Sequence, residues 1–317
     1  MVTGAGGCIG AWTVKQLQES GAGVVAFDLS AERRRLALLC DDPAQAEAVH
    51  WEVGDIADFD RVHEVFTRHR PRAVIHLAAL QVPFCKADPV LGARVNGVGS
   101  VNVFEAARRC GTGRIAYASS VAATAMDDSG ESPWLETLYG ASKVYNEQNA
   151  RVYWQDWRVP SIGIRPSVVY GPARDQGMSS TPTVAMLAAV LRRPFVIPFT
   201  GPVGFVHAAE AAAAFIQAVS MEQSGARVFA LNGAVKTVEE VVEMIGARYP
   251  QARSELRCEG APLPFPAADL SDQPLREHIG DYHRPSFEDG LEQTLALFAR
   301  RVEQGRLGPS DLGPGGP

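Results

Sequence analysis

The chain has 317 residues, of which 46% are hydrophobic and 21% charged, with a formal net charge of -6. That length suits one large α/β domain or a large domain with a smaller partner, and the composition excludes a wholly disordered chain, a collagen-like repeat and a disulfide mini-protein. Acids and bases are mixed along the chain, with no basic footprint for a nucleic-acid backbone and no polybasic membrane patch, so no nucleic acid and no membrane is expected as a partner.

In chain order, short β-branched runs alternate with helix-like segments, the pattern of a doubly wound parallel sheet covered by helices. Strands are predicted at 1–3, 23–28, 48–53, 73–77, 114–119, 161–169 and 227–231, and helices at 10–20, 31–39, 58–68, 89–109, 139–157 and 237–248. The runs Val24-Val25-Ala26-Phe27 and Ala73-Val74-Ile75 do not alternate with polar residues, as strands buried on both faces require. Only Met1 and Val2 precede Thr3, so either the first strand is brief or residues are missing ahead of it.

After Gly171 the rhythm breaks and proline becomes frequent. This divides the chain into a nucleotide-binding domain over 1–171 and 204–231 and a smaller, discontinuous substrate-binding domain over 172–203 and 232–305. Residues 306–317, rich in Gly and Pro, are expected to form a disordered tail. Cys8, Cys40, Cys85, Cys110 and Cys258 contain no C-x-x-C pair, which suits a reducing compartment. Nothing resembles a signal peptide, and no apolar run reaches the roughly 18 residues of a membrane span, so a cytoplasmic location is expected. His76, His207, His278 and His283 have no ligand spacing, and no metal is expected.

The segment Thr3-Gly4-Ala5-Gly6-Gly7-Cys8-Ile9-Gly10 lies between a strand and an apolar-periodic helix. Gly4 would allow the tight turn, Gly7 the approach of a diphosphate, and Gly10 close packing of helix on strand, while the helix N-terminus offers unpaired N–H groups. Asp28 ends the second strand, where its carboxylate would accept from the adenosine ribose hydroxyls and repel a 2′-phosphate, favouring NAD over NADP. Arg33, Arg34 and Arg35 behind it read as a solvated helix face, and Asp55 could reach the adenine amino group. Tyr139 and Lys143 stand at i and i+4 of a predicted helix, which puts phenol and ammonium on one face. A phenol of pKa about 10 is a poor base at neutral pH, but a fixed ammonium and an oxidised nicotinamide favour the phenolate, which could take the proton of a substrate hydroxyl.

To the glycine loop and Tyr139-Gly140-Ala141-Ser142-Lys143 are added Gly54-Asp55-Ile56, His76-Leu77-Ala78-Ala79, Val95-Asn96-Gly97 and Tyr117-Ala118-Ser119-Ser120. Together, and in their order along the chain, these motifs resemble an extended short-chain dehydrogenase/reductase of the NAD-dependent epimerase/dehydratase group, from residue 1 to about 300. The resemblance implies a Rossmann-type fold, NAD as cofactor, and Ser120, Tyr139, Lys143 and Asn96 as catalytic residues. It also implies cofactor contacts from Gly4, Gly7, Cys8, Ile9, Gly10, Asp28, Leu29, Asp55 and Ile56. Leu77, Ala78, Ala79, Asn96, Tyr139, Lys143, Pro166 and Val168 complete that set. In this family the helices equivalent to 89–109 and 139–157 pair across a dimer axis, so a homodimer is expected.

Departures from the family pattern narrow the chemistry. Dehydratases carry Asp-Glu where this chain has Val121 and Ala122, which disfavours elimination of water. Nucleotide-sugar members carry Asn at the place of Val168 and Arg shortly before the segment Phe205-Val206-His207, and both are missing here. The expected substrate is therefore a small non-nucleotide sugar or sugar acid, held by Gln81, Ser119, Ser120, Val121 and Arg174. Arg174 would pair either with a substrate carboxylate or with Asp175. The expected reaction is oxidation of a secondary hydroxyl by NAD. The alternative is an epimerase that oxidises and re-reduces one carbon, and a third reading is a non-catalytic NAD sensor.

Overall fold

The computed structural model describes residues 1–124, 135–263 and 270–315. Twelve strands are present among them: β1 (Val2–Thr3), β2 (Val25–Asp28), β3 (His50–Val53), β4 (Val74–His76), β5 (Ile115–Ala118), β6 (Ser161–Pro166), β7 (Val168–Tyr170), β8 (Phe195–Ile197), β9 (Pro202–His207), β10 (Ala226–Leu231), β11 (Ala234–Thr237) and β12 (Leu256–Cys258). The central sheet has seven strands in the order β10-β6-β5-β4-β1-β2-β3. Every pairing in it is parallel. The chain winds outward from β1 to β3 and then starts again at β4 in the other direction. That reversal between β1 and β4 opens a crevice at the carboxyl ends of the strands, the place where such sheets take ligands.

The apolar runs seen in the sequence fill both faces of this sheet. On one face the helices Cys8–Glu19 and Ala208–Ser220 bury Val14, Ala211 and Phe215 against Val2, Ala26 and Ile162. On the other, Phe66, Phe104, Tyr117 and Tyr153 pack beneath the helices Phe59–His69, Gly99–Cys110 and Leu138–Trp157. A third core gathers Met186, Phe195, Phe199, Phe205, Ile245 and Phe298 around β7, β8, β9 and the helices Thr181–Leu191, Val238–Arg248 and Phe287–Glu303.

Three sequence expectations change. The single strand over 161–169 is two strands, because at Ser167 the chain leaves the central sheet. The Ser167 N–H donates to Leu231 O and its hydroxyl to Asn232, and Val168 then pairs with Phe205 in a separate sheet of order β11-β9-β7. The helix over 89–109 is divided into Pro89–Ala93, a π-turn over Arg94–Val98 and Gly99–Cys110. Such a wide turn inserts a residue and re-aims a side chain, here that of Asn96.

The tail expected to be disordered over 306–317 is instead packed as far as it is described. Leu307 and Leu312 enter the third core, Arg306 donates to Cys40 O and Ala37 O, and Asp311 pairs with Arg34. Its Gly/Pro composition concealed two buried leucines and the charges that dock it. Residues 264–269 and 316–317 of the expected substrate domain and tail lie outside the described residues. No helix among the described residues is long and apolar enough to cross a membrane.

Candidate active site

The glycine loop follows β1 directly into the crevice. Gly4 has φ +70°, and a Cβ there would stand 2.5 Å from Ala78 N. At Gly10 a Cβ would meet Gly4 O at 2.1 Å, so helix and turn touch only because both residues lack side chains. The helix Cys8–Glu19 has no side-chain cap at its N-terminus and no acid in its first turn. Its first N–H groups and its positive dipole end therefore face the cleft free to receive an anion. Asp28 Oδ2 accepts from Gly6 N at 2.8 Å and Oδ1 from Leu29 N at 2.7 Å, which fixes the carboxylate beside the loop. Burial pushes its pKa up while these N–H groups pull it down. This half of the cleft is also lined by Leu29, Asp55, Ile56 and Ala78.

The other half lies over β5 and the helix Leu138–Trp157. It is lined by Ile9, Gly10, Ser119, Ser120, Val121, Tyr139, Lys143, Pro166 and Val168. The Ser120 hydroxyl accepts from Ala122 N at 3.1 Å and lines the cleft together with Tyr139. Lys143 donates to Ala118 O at 2.7 Å, and its Nζ lies 5.3 Å from the centre of the Tyr139 ring. Burial lowers the Lys143 pKa to about 8. Burial also raises the Tyr139 pKa, against the lowering effects of the Ser120 hydroxyl and the Arg174 charge. The ammonium and the oxidised nicotinamide were expected to act together on this phenol, and in the protein by itself burial outweighs the groups that lower it. The positive nicotinamide of bound NAD acts in the lowering direction.

Asn96, expected as a catalytic and cofactor-contacting residue, lines neither half of the cleft. It is fully buried behind the wall, where Oδ1 accepts from Leu80 N at 2.7 Å and Nδ2 donates to Leu80 O at 2.9 Å. Its carbonyl accepts from Ser100 and Asn146. It therefore shapes the segment Leu77–Gln81, in which Leu77, Ala79 and Gln81 line both halves of the cleft. Ser119 is held from behind, its hydroxyl donating to Glu147, which takes a bidentate pair from Arg165 at 2.7 and 2.6 Å. This buried pair was not found in the sequence, because its members are 18 residues apart on different elements.

Arg174 and Asp175 are not paired with each other as a loop contact. Asp175 is taken by Arg34 and by Arg35, whose Nε lies at 2.8 Å, while Arg174 reaches Gln81 at 3.4 Å and Ser179 at 3.2 Å. The solvated-face reading suits Arg34, 52% exposed, and fails for Arg35, 18% exposed, which also donates to Gly6 O at 2.8 Å. The loop 174–177 consequently bridges the cleft from Gln81 on one wall to Arg35 on the other. His76 is a core histidine between Thr3 and Ser100, with its pKa pulled to about 3 by burial. Among the described residues, His50, Glu52 and His69 bring possible metal-ligand atoms within 4.8 Å of one another. Arg61 and Arg68 already hold the Glu52 carboxylate at 2.6 and 3.0 Å, so the cluster is an ion-pair network.

A sequence profile described as the NAD dependent epimerase/dehydratase family matches residues 1–231. The UDP-glucose 4-epimerase of Mycolicibacterium smegmatis is 32% identical over 185 residues, 55% of this chain and 57% of that protein. The UDP-glucose 4-epimerase of Rhizobium leguminosarum bv. trifolii is 28% identical over 274 residues, 78% of this chain and 80% of that protein. An uncharacterised Escherichia coli O111:H- protein matches over 54% of its length, so this chain spans little more than half of several curated relatives. The solved UDP-glucose 4-epimerase of Thermus thermophilus, in complex with NAD, has a TM-score of 0.74 at 25% identity, covering 94% of this chain and 97% of that one.

Proposed function

Because this chain belongs to the NAD-dependent epimerase/dehydratase family and is an NAD-dependent enzyme of that kind, we propose that it is a sugar epimerase. It oxidises one carbinol carbon of a sugar-like substrate, re-reduces it from the other face and keeps its NAD throughout. The observation that carries this reading is the bridge over the cofactor trough, with Asp175 tied to Arg34 and Arg35 and Arg174 tied to Gln81. An epimerase must retain its cofactor between the two half-reactions, whereas a net dehydrogenase must release it every turnover. The UDP-glucose 4-epimerases among the relatives support the same class.

When bound, NAD supplies the hydride acceptor and donor at C4 of its nicotinamide ring. Ser120 holds the reacting oxygen by a hydrogen bond, and Tyr139 takes the hydroxyl proton and later returns it. Lys143, anchored on Ala118 O, keeps positive charge beside the phenol and is placed for the nicotinamide ribose. Val121 and Ala122 next to them offer no second acid or base, which disfavours elimination of water. The proposed substrate is small and carries no nucleotide. Lys143 and Arg174 are the cations lining the nicotinamide half among the described residues, and a substrate diphosphate calls for paired cations of its own. That same scarcity of cations favours, as second reading, net oxidation of a small sugar or sugar acid.

Incubation with NAD and a panel of sugars, aldonic acids and uronic acids tests the proposal. Inverted product without stoichiometric NADH, lost in Tyr139→Phe, is the expected result; stoichiometric NADH means the dehydrogenase. Tight NAD binding with no turnover across the panel means the sensor. A homodimer is part of the proposal, supported by the exposed Val90, Leu91, Val98, Tyr145 and Val152 on the helices Pro89–Ala93 to Gly99–Cys110 and Leu138–Trp157. Light scattering coupled to gel filtration reads it directly, and a monomer mass refutes it.

A further inference from the structure

The adenosine half and the nicotinamide half of the trough meet at the glycine loop. Residues lining both include Gly4, Gly7, Cys8, Leu77, Gln81 and Arg174, and Arg174 is the one charged side chain among them. A dinucleotide lying across both halves has its diphosphate at this junction, because the adenosine and the nicotinamide riboside occupy the two sides.

The guanidinium of Arg174 has no anion of its own among the described residues. Its contacts are neutral and long, to Gln81 at 3.4 Å and Ser179 at 3.2 Å, and its Nε is shut off from solvent without a partner. The carboxylate beside it in the chain, Asp175, is already engaged by Arg34 and Arg35. A half-buried cation with a buried, unpartnered Nε and no ion pair of its own is suited to be completed by an anion that binds to it. It lines the nicotinamide half together with Cys8, in the first turn of the loop helix, and Tyr139, and the adenosine half together with Asp28, which puts it at the join of the two.

We propose that Arg174 grips the diphosphate of the dinucleotide, opposite the helix N-terminus, and that Gln81 and Ser179 hold it in that position. The glycine loop then supplies N–H groups from one side and Arg174 a full positive charge from the other. This assignment takes Arg174 away from the substrate carboxylate that the sequence suggested for it. It also explains the backbone of the bridge. Gly177 has φ +97°, a conformation that residues with side chains rarely adopt, and a Cβ there would displace the end of the Gln81 side chain. The proposal rests on the cofactor and is indifferent to the choice between epimerase and dehydrogenase.

Calorimetric titration of the full chain with NAD, ADP-ribose and adenosine, in the absence of any substrate, tests it. Arg174→Met is expected to weaken NAD and ADP-ribose by about 10- to 100-fold, the loss of a charge-assisted contact to phosphate, and to leave adenosine unchanged. Arg174→Lys recovers part of that loss as a point charge, and the salt dependence of ADP-ribose binding becomes shallower in Arg174→Met. Unchanged NAD and ADP-ribose affinity in Arg174→Met overturns the proposal and returns Arg174 to the substrate. An equal loss of adenosine binding overturns it as well, since it marks collapse of the loop and not loss of a phosphate contact.

Discussion

The two walls of the cofactor trough are built in different ways. The wall contributed by residues 1–143 is built from local motifs: Gly4, Gly7 and Gly10 lie within seven residues, Ser120 follows closely on β5, and Tyr139 and Lys143 share one helix. The wall contributed by 172–179 is assembled at a distance. Arg35 meets Asp175 across 140 residues, Gln81 meets Arg174 across 93, and Arg34 meets Asp311 across 277. In the function proposed above, the first wall carries the chemistry and the second holds the cofactor. Substitutions in the two walls therefore separate turnover from retention.

The largest expected effect is in the local wall. Tyr139→Phe removes the proton acceptor and should lower turnover by about 10²- to 10⁴-fold with NAD affinity retained, read by comparing steady-state rates with a cofactor titration. Equal loss of NAD binding would show that the phenol is a structural part of the cofactor pocket. In the distant wall, Asp175→Asn leaves Arg34 and Arg35 without their shared carboxylate. NAD should then dissociate about tenfold faster while single-turnover chemistry stays at the wild-type rate, measured by stopped-flow displacement. An unchanged dissociation rate would mean that the bridge does not hold the cofactor.

The smallest effect concerns stability. Glu210, buried in the first turn of the helix Ala208–Ser220, has its pKa raised to about 7 by burial, with Arg284 at 3.8 Å pulling the other way. The unfolded carboxyl ionises near its ordinary value while the folded one stays protonated, so its favourable contribution is complete below that value and is lost as pH rises through about 7. Glu210→Gln, which cannot ionise, should be more stable than wild type by about 1 kcal/mol at alkaline pH and indistinguishable from it in acid, by denaturant unfolding. A destabilised variant at alkaline pH would show that the ion pair with Arg284 outweighs the cost of burial.

This contrast also explains what was legible in the sequence. The alternation of apolar runs and the spacing of glycines, Asp28, Ser120, Tyr139 and Lys143 are local signals, and the central sheet and the lining of the cleft follow from them. Asn96 was singled out by its motif, while the buried clamp it makes on Leu80 depends on a π-turn that helical spacing does not reveal. Ser167 looked like the middle of a strand, and only its pairing with Leu231 and Asn232 shows that the chain changes sheets there. Arg35 and Asp311 were indistinguishable from solvated charges, because each acquires its role from a partner that is distant in sequence.

Retention of the cofactor through both half-reactions is the central claim, and an isotope experiment tests it most directly. A substrate identified from the sugar panel is deuterated at the reacting carbon, and product and solution are followed by nuclear magnetic resonance. The account predicts that the label reappears on the inverted carbon of the product. Label leaving with free, reduced cofactor, one equivalent per turnover, would contradict it.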